Sequence, residues 1–213
     1  MHLQITEIYK SLQGEAAFAG YPCTFIRLTG CPLRCRWCDT VYGFEGGRNL
    51  TIEQVVEEVE ALGCRLVELT GGEPLAQKDA HVLMQRLIAK GYKVLIETGG
   101  SESVADVPRD VHIIMDLKCP GSQMVQHNLY ENIEHLKRTD EIKFVIANRS
   151  DFDWAVAKIE EYGLEQRVEL LASAAFGLVA PKDLAEWILE SKKNIRINLQ
   201  QHKYIWSPKA KGV

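Results

Sequence analysis

Short runs of β-branched and other apolar residues recur along the chain, and each run predicts a β-strand. Most of these runs are separated by stretches in which apolar residues recur at helical spacing. Strands that alternate with helices form right-handed β-α-β units, so the pattern predicts a parallel sheet. The predicted strands are Cys23–Leu28, Arg65–Thr70, Lys93–Glu97, His112–Leu117, Ile142–Ile146, Val168–Ala172 and Ile195–Leu199.

Four apolar stripes at helical spacing predict helices that pack on this sheet. The first stripe begins at Thr51, which is expected to form a capping box with Gln54. The second ends near Gly91, a residue type that commonly stops a helix. The third follows the cap candidate Ser150, and Pro181 opens the fourth in its first turn.

The segment between Glu97 and Val111 shows no helical period, so one crossover is expected to lack its helix. The predicted fold class is α/β, as an incomplete, open (βα) barrel with about six parallel core strands; a flat open sheet is the alternative. In either fold, chemistry belongs at the carboxyl ends of the strands. No internal repeat or linker interrupts the pattern, which predicts a single domain over residues 1–213.

Composition narrows the class of protein. The chain has 213 residues, of which 46% are hydrophobic and 25% are charged, as in ordinary globular proteins. A net charge of −4 disfavours broad nucleic-acid binding, so no direct nucleic-acid partner is expected. The apolar runs are too short to cross a membrane, and the start of the chain lacks a targeting pattern. We therefore expect a cytoplasmic protein.

Three cysteines lie close together in a loop at residues 31–38, spaced Cys31-x3-Cys35-x2-Cys38. Three thiolates can surround one metal centre, but a closed site needs four ligands. The next cysteine is Cys64 and the nearest downstream histidine is His81, neither at metal-finger spacing. An iron–sulfur cube held by three cysteines would leave one iron open to a small molecule.

Other interpretations of the three cysteines are a weak zinc site or buried small hydrophobes. Disulfides are disfavoured because the chain lacks a signal peptide and a dense cysteine framework. The scattered Cys23, Cys64 and Cys119 are interpreted as core residues.

A second motif, Gly71-Gly72-Glu73-Pro74, follows the strand Arg65–Thr70. Two residues without side chains let bare backbone approach a ligand closely. The alternative is a plain Gly-Pro turn. The motif and the cysteine loop both follow strand ends, so we expect them to lie close together.

The cysteine loop ending in Cys38-Asp39-Thr40, together with Gly71–Pro74, resembles the radical S-adenosylmethionine superfamily. The resemblance implies a [4Fe-4S] cluster on Cys31, Cys35 and Cys38, with S-adenosylmethionine on its open iron. It also implies reductive cleavage to a 5′-deoxyadenosyl radical, with electrons from a flavodoxin-like or other reductant. The implied cofactor contacts are Trp37, Cys38, Asp39, Gly72, Glu73, Asp116, Leu117 and Lys118.

Four further segments resemble the 7-carboxy-7-deazaguanine synthase family, and they extend the resemblance over nearly the whole chain. The segments are Ser11–Glu15, Phe25–Leu28, Lys143–Val145 and Leu199–Ile205. The resemblance implies a homodimer that binds a pterin substrate and Mg²⁺, with Thr40 as the magnesium ligand. The implied pterin contacts are Leu12, Gln13, Gly14, Glu15, Arg27, Thr70, His202 and Pro208.

These residue types suit the implied roles. Gln13 and Glu15 can pair with an aminopyrimidinone edge, and Arg27 can bind a carboxylate through two donors. Taken alone, Arg27 would be a surface ion-pair residue and His202 a structural histidine. Lys118 and Lys203 alone would be solvated charges.

The chain departs from the family pattern in four places. Ala16-Ala17 follows Glu15 where the family usually has a glycine, and Ser173–Phe176 replaces a Ser-Pro or Gln-Pro pair. Glu97–Gly100 lacks the usual Asn or Ser before its second glycine. The chain also continues past Pro208 to Val213, which leaves open any role of a C-terminal carboxylate.

The resemblance therefore implies an enzyme that converts 6-carboxy-5,6,7,8-tetrahydropterin to 7-carboxy-7-deazaguanine, in queuosine biosynthesis. One alternative is an activase that uses the same radical to oxidise a glycine of a partner protein. The other is an interaction domain stabilised by zinc or a cluster, with no catalytic activity.

Overall fold

The computed structural model describes residues 1–208 and 210–212. Lys209 and Val213, in the tail that continues past Pro208, lie outside the described residues. One sheet of nine strands forms the centre of the molecule. Its strands are β1 (His2–Leu12), β2 (Pro22–Leu28), β3 (Arg48–Thr51), β4 (Leu66–Gly71), β5 (Lys93–Thr98), β6 (His112–Asp116), β7 (Glu141–Ile146), β8 (Glu169–Ala174) and β9 (Arg196–Ile197).

The strand order is β3-β1-β2-β4-β5-β6-β7-β8-β9. From β2 to β9 every neighbouring pair is parallel, whereas β1 pairs antiparallel with both β2 and β3. The sheet does not close, because β3 and β9 remain its two edges. The predicted incomplete, open barrel is thus confirmed, with β2 and β4–β8 as six parallel core strands.

The predicted strands of the core are confirmed, with small shifts at their ends. The last predicted strand, Ile195–Leu199, is shorter than expected, because only Arg196–Ile197 pairs with β8. β1 and β3 were not predicted. Both lie beside the parallel core, and β1 carries many polar residues that weaken the apolar pattern of a strand.

In the described part of the chain, five α-helices connect or flank the strands: α1 (Ile52–Leu62), α2 (Ala80–Ala89), α3 (Arg149–Glu161), α4 (Pro181–Ser191) and α5 (His202–Ile205). The capping box of Thr51 with Gln54 is confirmed, as is Pro181 in the first turn of α4. The prediction that Ser150 caps α3 is wrong. Asn148 caps it, since its side chain accepts a hydrogen bond from the Asp151 backbone N–H. As expected, no α-helix lies between β5 and β6 among the described residues.

The two faces of the parallel strands differ in chemistry. Alternate residues such as Val67 and Leu69 belong to the apolar core that packs against the helices. Glu68 and Thr70, which alternate with them along the strand, line a cavity on the concave face. Because side chains alternate along a strand, one strand supplies both a core face and a polar face.

The connection between β1 and β2 joins the two sides of the open barrel. Gln13 and Tyr21 close this loop, with the Gln13 backbone N–H donating to the Tyr21 carbonyl at 2.8 Å. The loop then reaches the region of β9, where the Gln201 N–H donates to the Gly14 carbonyl at 2.9 Å. Residues 14–17 therefore bridge the open side of the sheet, and we call them the bridging segment. No helix in the described part of the chain is long and apolar enough to span a membrane.

Candidate active site

One cavity of about 720 Å³ opens on the concave face, a size typical of small-molecule sites. All but one of the predicted site residues line it. The lining includes Cys31, Cys35, Cys38, Trp37, Asp39, Gly72, Asp116, Leu117, Lys118, Leu12, Gln13, Gly14, Glu15, Arg27, Thr40, Thr70, His202 and Pro208. Glu73 does not line the cavity.

The cysteine loop follows β2 as an irregular segment. Cys31, Cys35 and Cys38 are half-buried, unpaired and on the wall of the same cavity. Burial raises the pKa of each thiol, and the nearby cation of Lys118 opposes that rise. Three thiols on one wall of the cavity, with a cation nearby, suit an iron–sulfur cluster, which is held by thiolates.

The zinc interpretation finds less support in the fold. Among the described residues, no three His, Cys, Asp or Glu side chains converge closely enough to hold a single metal ion. A mononuclear zinc site would need such convergence.

Gly71 and Gly72 let β4 approach the cysteine loop. A Cβ on Gly72 would lie 1.9 Å from the Gly30 carbonyl oxygen and 3.0 Å from the Cys31 Cβ. Gly71 has a φ of 135°, which favours glycine. The motif is therefore more than a plain turn, because it carries the backbone against which the cysteine loop packs.

Glu73 is fully buried beside this turn. Its carboxylate accepts hydrogen bonds from the Thr98 hydroxyl at 2.8 Å and from the backbone N–H groups of Gly99 and Leu75 at 2.7 and 3.0 Å. Burial raises its pKa despite these donors. Glu73 thus ties the turn to the end of β5, and its predicted cofactor contact would be indirect.

The C-terminal helix is tied to the cysteine loop by an ion pair. Lys203 Nζ donates to Asp39 Oδ2 at 2.8 Å and to Gln200 Oε1 at 2.7 Å. The Lys203 side chain is only 7% exposed, so it is not the solvated charge that the residue taken alone would suggest. The Thr40 hydroxyl lies beside the pair and donates to Asp39 Oδ1 at 3.1 Å.

Three carboxylates surround the buried ammonium of Lys143. Glu15 lies 2.9 Å from its Nζ, Asp116 lies 3.5 Å away, and Glu97 is in direct contact. Burial acts to lower the pKa of Lys143, but the three carboxylates outweigh it and the pKa lies well above its usual range. Lys143 is therefore a permanent cation at the centre of the cavity wall.

Lys118 adds a second cation to this wall. Its Nζ donates to Asp116 Oδ2 at 2.6 Å, and its side chain is 15% exposed. Lys118 is therefore not the solvated charge that it would be if taken alone, and it lines the cavity with the other expected cofactor contacts.

Glu15 is held by three donors. Lys143 and the Asn198 amide reach its Oε2 at 2.9 and 3.0 Å, and the Gln200 amide reaches its Oε1 at 2.9 Å. Burial alone would raise the pKa of Glu15, but Lys143 outweighs it and the pKa is lowered. Glu15 is therefore an anion with a fixed orientation.

Arg27 is also preorganised. Its Nε donates to Glu7 at 2.7 Å and its Nη2 donates to the Tyr9 hydroxyl at 3.1 Å. The Tyr42 hydroxyl donates to the same Glu7 oxygen at 2.8 Å. The side chain is 13% exposed, which contradicts the surface interpretation. Because a guanidinium has five N–H donors, the two bonds leave three donors for a ligand.

A buried acid lies beside Gln13. The Gln13 side-chain amide donates to Glu68, which is buried on the middle of β4. Burial, followed by the negative charges of Glu97 and Glu15, raises the pKa of Glu68 well above its usual range. The Gln13 amide oxygen accepts from the Glu15 backbone N–H at 3.0 Å, so both ends of this amide are fixed.

Gly14 and His202 pack directly on each other. A Cβ on Gly14 would lie 2.7 Å from the His202 Nδ1, so only glycine fits here. Burial lowers the pKa of His202, which favours the neutral imidazole. Pro208 is exposed at the edge of the same cavity.

Two departures from the family pattern have structural correlates. Ala16 has a φ of 61°, a left-handed conformation that glycine adopts more easily. Ser173 lines the cavity, and its hydroxyl accepts a hydrogen bond from the Asn198 amide at 2.8 Å.

Sequence reasoning assigned no role to several residues of this wall. The wall residues are Tyr9, Tyr42, Glu68, Glu97, Lys143 and Gln200. Two further residues, Glu7 and Asn198, bind Arg27 and Glu15 without lining the cavity. Ionisable residues in the middle of otherwise apolar parallel strands were the available signal for Glu68, Glu97 and Lys143, since buried parallel strands are normally apolar on both faces.

Comparison with protein families matches residues 25–165 to the radical SAM superfamily. Over 99% of its length the chain is 48% identical to the whole of a 7-carboxy-7-deazaguanine synthase from Koribacter versatilis. The chain belongs to the 7-carboxy-7-deazaguanine synthase family. It is thus a radical SAM enzyme, and the superfamily implies a [4Fe-4S] cluster and S-adenosylmethionine as cofactors.

Other members of the family are similar over the same length. The synthase of Chlorobaculum tepidum is 41% identical, over 99% of this chain and 97% of its own. The crystal structure of QueE from Escherichia coli superposes with a TM-score of 0.79 at 24% identity, covering 95% of each chain. That likeness confirms the fold as a partial radical SAM barrel.

Proposed function

We propose that the chain converts 6-carboxy-5,6,7,8-tetrahydropterin to 7-carboxy-7-deazaguanine, with loss of ammonia, as a step of queuosine biosynthesis. One observation is the main support for this proposal. The cysteine loop and the residues expected to bind a pterin, among them Gln13, Glu15 and Arg27, line the same cavity. A small molecule held there can therefore lie beside the cofactor.

Cys31, Cys35 and Cys38 hold the cluster in this proposal. When bound, the cluster and S-adenosylmethionine supply a 5′-deoxyadenosyl radical for hydrogen abstraction. Asp116 and Lys118, joined by their 2.6 Å ion pair, bind the charged groups of the cofactor. Trp37 packs against its adenine, and Gly72 leaves room for it because it has no side chain.

The opposite part of the wall binds the pterin. Glu15 is held as an anion by Lys143, so it accepts hydrogen bonds from the N–H groups of an aminopyrimidinone edge. Arg27 binds the substrate carboxylate with the donors that Glu7 and Tyr9 leave free.

Mg²⁺ is a further part of the proposal, with Thr40 as its protein ligand. A hydroxyl supplies one hard oxygen, so substrate and water must supply the others. Mg²⁺ should therefore bind well only when the pterin is present. Chelation of divalent ions, under conditions that preserve the cluster, should then abolish turnover. Turnover that is indifferent to chelation would exclude this role.

The proposal also covers the location, the oligomeric state and the electron donor of the enzyme. These are a cytoplasmic homodimer and reduction by a flavodoxin-like or other donor. Sedimentation of the purified protein tests the dimer, and turnover with purified flavodoxin in place of a chemical reductant tests the donor.

Anaerobic turnover with carboxytetrahydropterin, S-adenosylmethionine and a reductant tests the proposed function. We expect 7-carboxy-7-deazaguanine and ammonia in equal amounts. Cofactor cleavage stimulated by a partner protein and not by the pterin would support the activase alternative instead. A colourless protein with one tightly bound zinc after anaerobic purification would support the interaction domain.

A further inference from the structure

Ala16 adopts a backbone conformation that L-residues with a Cβ disfavour, with a φ of 61°. Two other described non-glycine residues have positive φ, and both follow the end of a helical turn, where this conformation is common. Ala16 ends no helix. Its buried methyl group packs with Ile114 and Leu171, so its surroundings hold it in place.

Hydrogen bonds on both sides fix the backbone at Ala16. Its N–H donates to Asn198 Oδ1 at 2.8 Å, and its carbonyl accepts from Arg196 Nη1 at 3.3 Å. The N–H of Ala17 donates to Glu141 Oε1 at 2.9 Å. Three side chains from outside the bridging segment therefore determine its conformation.

Glu141 connects these contacts beneath the cavity. It is fully buried, and its Oε2 accepts from Arg196 Nη2 at 2.6 Å. Its Oε1 lies 2.7 Å from the Nε2 of His112. Glu141 does not line the cavity, so its carboxylate is separated from any ligand bound there.

β7 holds the bridging segment at two points. Lys143 binds Glu15 at 2.9 Å, and Glu141 binds the backbone of Ala17 at 2.9 Å. Residues two apart on a strand share a face, as Glu141 and Lys143 do. The left-handed Ala16 lies between the two attachment points.

We propose that Glu141 and Arg196 are positioning residues for substrate binding, which hold Ala16 left-handed so that Glu15 presents its carboxylate to the cavity. This role rests on the proposed function of Glu15 as a pterin ligand. Without Arg196 or Glu141, Ala16 relaxes to an ordinary conformation in part of the molecules. The apparent affinity for the pterin then falls in proportion to the fraction of molecules that keep the left-handed conformation.

Arg196→Ala is the primary test, because the Arg196 side chain is 44% exposed whereas Glu141 is fully buried. We expect the pterin KM to rise by about threefold to tenfold while kcat changes by less than about twofold. Cluster content and S-adenosylmethionine binding should stay unchanged. Glu141→Ala should act in the same direction, provided that it folds. Glu169→Ala, at an exposed glutamate that pairs with Glu141 on the neighbouring strand, is the matched control and should behave like the wild type.

The Ala16→Gly substitution distinguishes a positioning role of Arg196 from a general structural role. Glycine adopts the left-handed conformation without the Cβ penalty, so Ala16→Gly in the Arg196→Ala protein should lower the raised KM at least twofold. An unchanged KM in Arg196→Ala would overturn the proposal. A KM that Ala16→Gly leaves raised would overturn it as well.

Thermal unfolding tests whether Arg196 affects the backbone strain at Ala16, without relying on pterin turnover. In the wild type, Ala16→Gly loses a buried methyl group but relieves the backbone, so Tm should change by less than about 2 °C. In Arg196→Ala, Ala16 has already relaxed in part of the molecules, so glycine relieves less strain there and the change in Tm should be about 2 °C less favourable than in the wild type. Equal shifts in both backgrounds would overturn the positioning role. Absence of pterin turnover in the wild type, with the Tm coupling intact, would instead refute only the proposed function.

Discussion

The ammonium nitrogen of Lys143 lies 2.9 Å from a carboxylate oxygen of Glu15, although 128 residues separate the two in sequence. The contact joins β7 to the bridging segment across the open side of the barrel. Glu97 and Asp116 complete a buried group of three carboxylates around one ammonium. The geometry of the substrate wall therefore depends on one lysine.

Replacing Lys143 by methionine should destabilise the protein strongly. The substitution leaves Glu15 and Glu97 without their cation, whereas Asp116 keeps its ion pair with Lys118. Breaking a buried ion pair by removing one partner costs about 3–5 kcal/mol. Urea unfolding measures the loss. Lys182→Met removes an exposed lysine and should change the free energy of unfolding by less than about 0.5 kcal/mol. A Lys143→Met protein as stable as the wild type would show that the carboxylates do not depend on this cation.

Glu68 should make the stability of the protein depend on pH. Its pKa in the folded chain lies well above the ordinary value of 4.5, because burial and its acidic neighbours disfavour the anion. Its contribution to stability is therefore fully present below about pH 4.5 and is lost as the pH rises toward the folded pKa. Glu68→Gln stays neutral and keeps an acceptor for Gln13, so it should gain in Tm over the wild type as the pH rises.

The difference in Tm between Glu68→Gln and the wild type, measured from pH 4.5 to 8.5, isolates this group. Glu57→Gln removes an exposed carboxylate from α1 and is the control, for which no such trend is expected. A difference that stays constant across the range would mean that Glu68 titrates normally.

Gly72→Ala should prevent the cysteine loop from packing on β4. The added Cβ would lie 1.9 Å from the Gly30 carbonyl, and backbone cannot yield as a flexible side chain does. We expect a large loss of cluster content, measured as iron and sulfide per chain after anaerobic reconstitution. Gly43→Ala adds a methyl group whose nearest contact is 3.4 Å away, and it should load the cluster normally. Normal loading of Gly72→Ala would contradict the packing argument.

Alanine at Cys31, Cys35 or Cys38 should abolish both cluster loading and activity, because each thiolate is one of only three ligands. Visible absorption of the reconstituted protein and turnover measure the two effects. Cys64 lies buried in the core and should tolerate alanine with both properties retained. Full turnover by Cys35→Ala would refute the cluster assignment.

The parallel core was predictable because each core strand carries a compact apolar run between turn or helix signals. β1 escaped prediction because polar residues such as Gln4, Glu7 and Lys10 interrupt its apolar pattern. β9 was overestimated because the alternation of Ile195, Ile197 and Leu199 with polar residues continues past the two residues that pair with β8. An apolar pattern identifies burial, but it does not determine where the ladder ends.

Prediction of the site succeeded where a residue belongs to a contiguous motif. The cysteines and the residues carried over with them were found in this way, and all but Glu73 line the cavity. The partners that orient these residues were not found. Glu7 orients Arg27, and Lys143 orients Glu15, across contacts that only the folded sheet creates. Such partners are distant in sequence and share no motif with the groups they hold.

The most direct test of the proposed function follows one hydrogen atom. When carboxytetrahydropterin deuterated at C6 is the substrate in an anaerobic reaction, we expect deuterium in the 5′-deoxyadenosine that is released together with 7-carboxy-7-deazaguanine. That result would show that the pterin and the cofactor occupy this cavity together. Release of 5′-deoxyadenosine without deuterium, at a rate that the pterin does not change, would contradict the account.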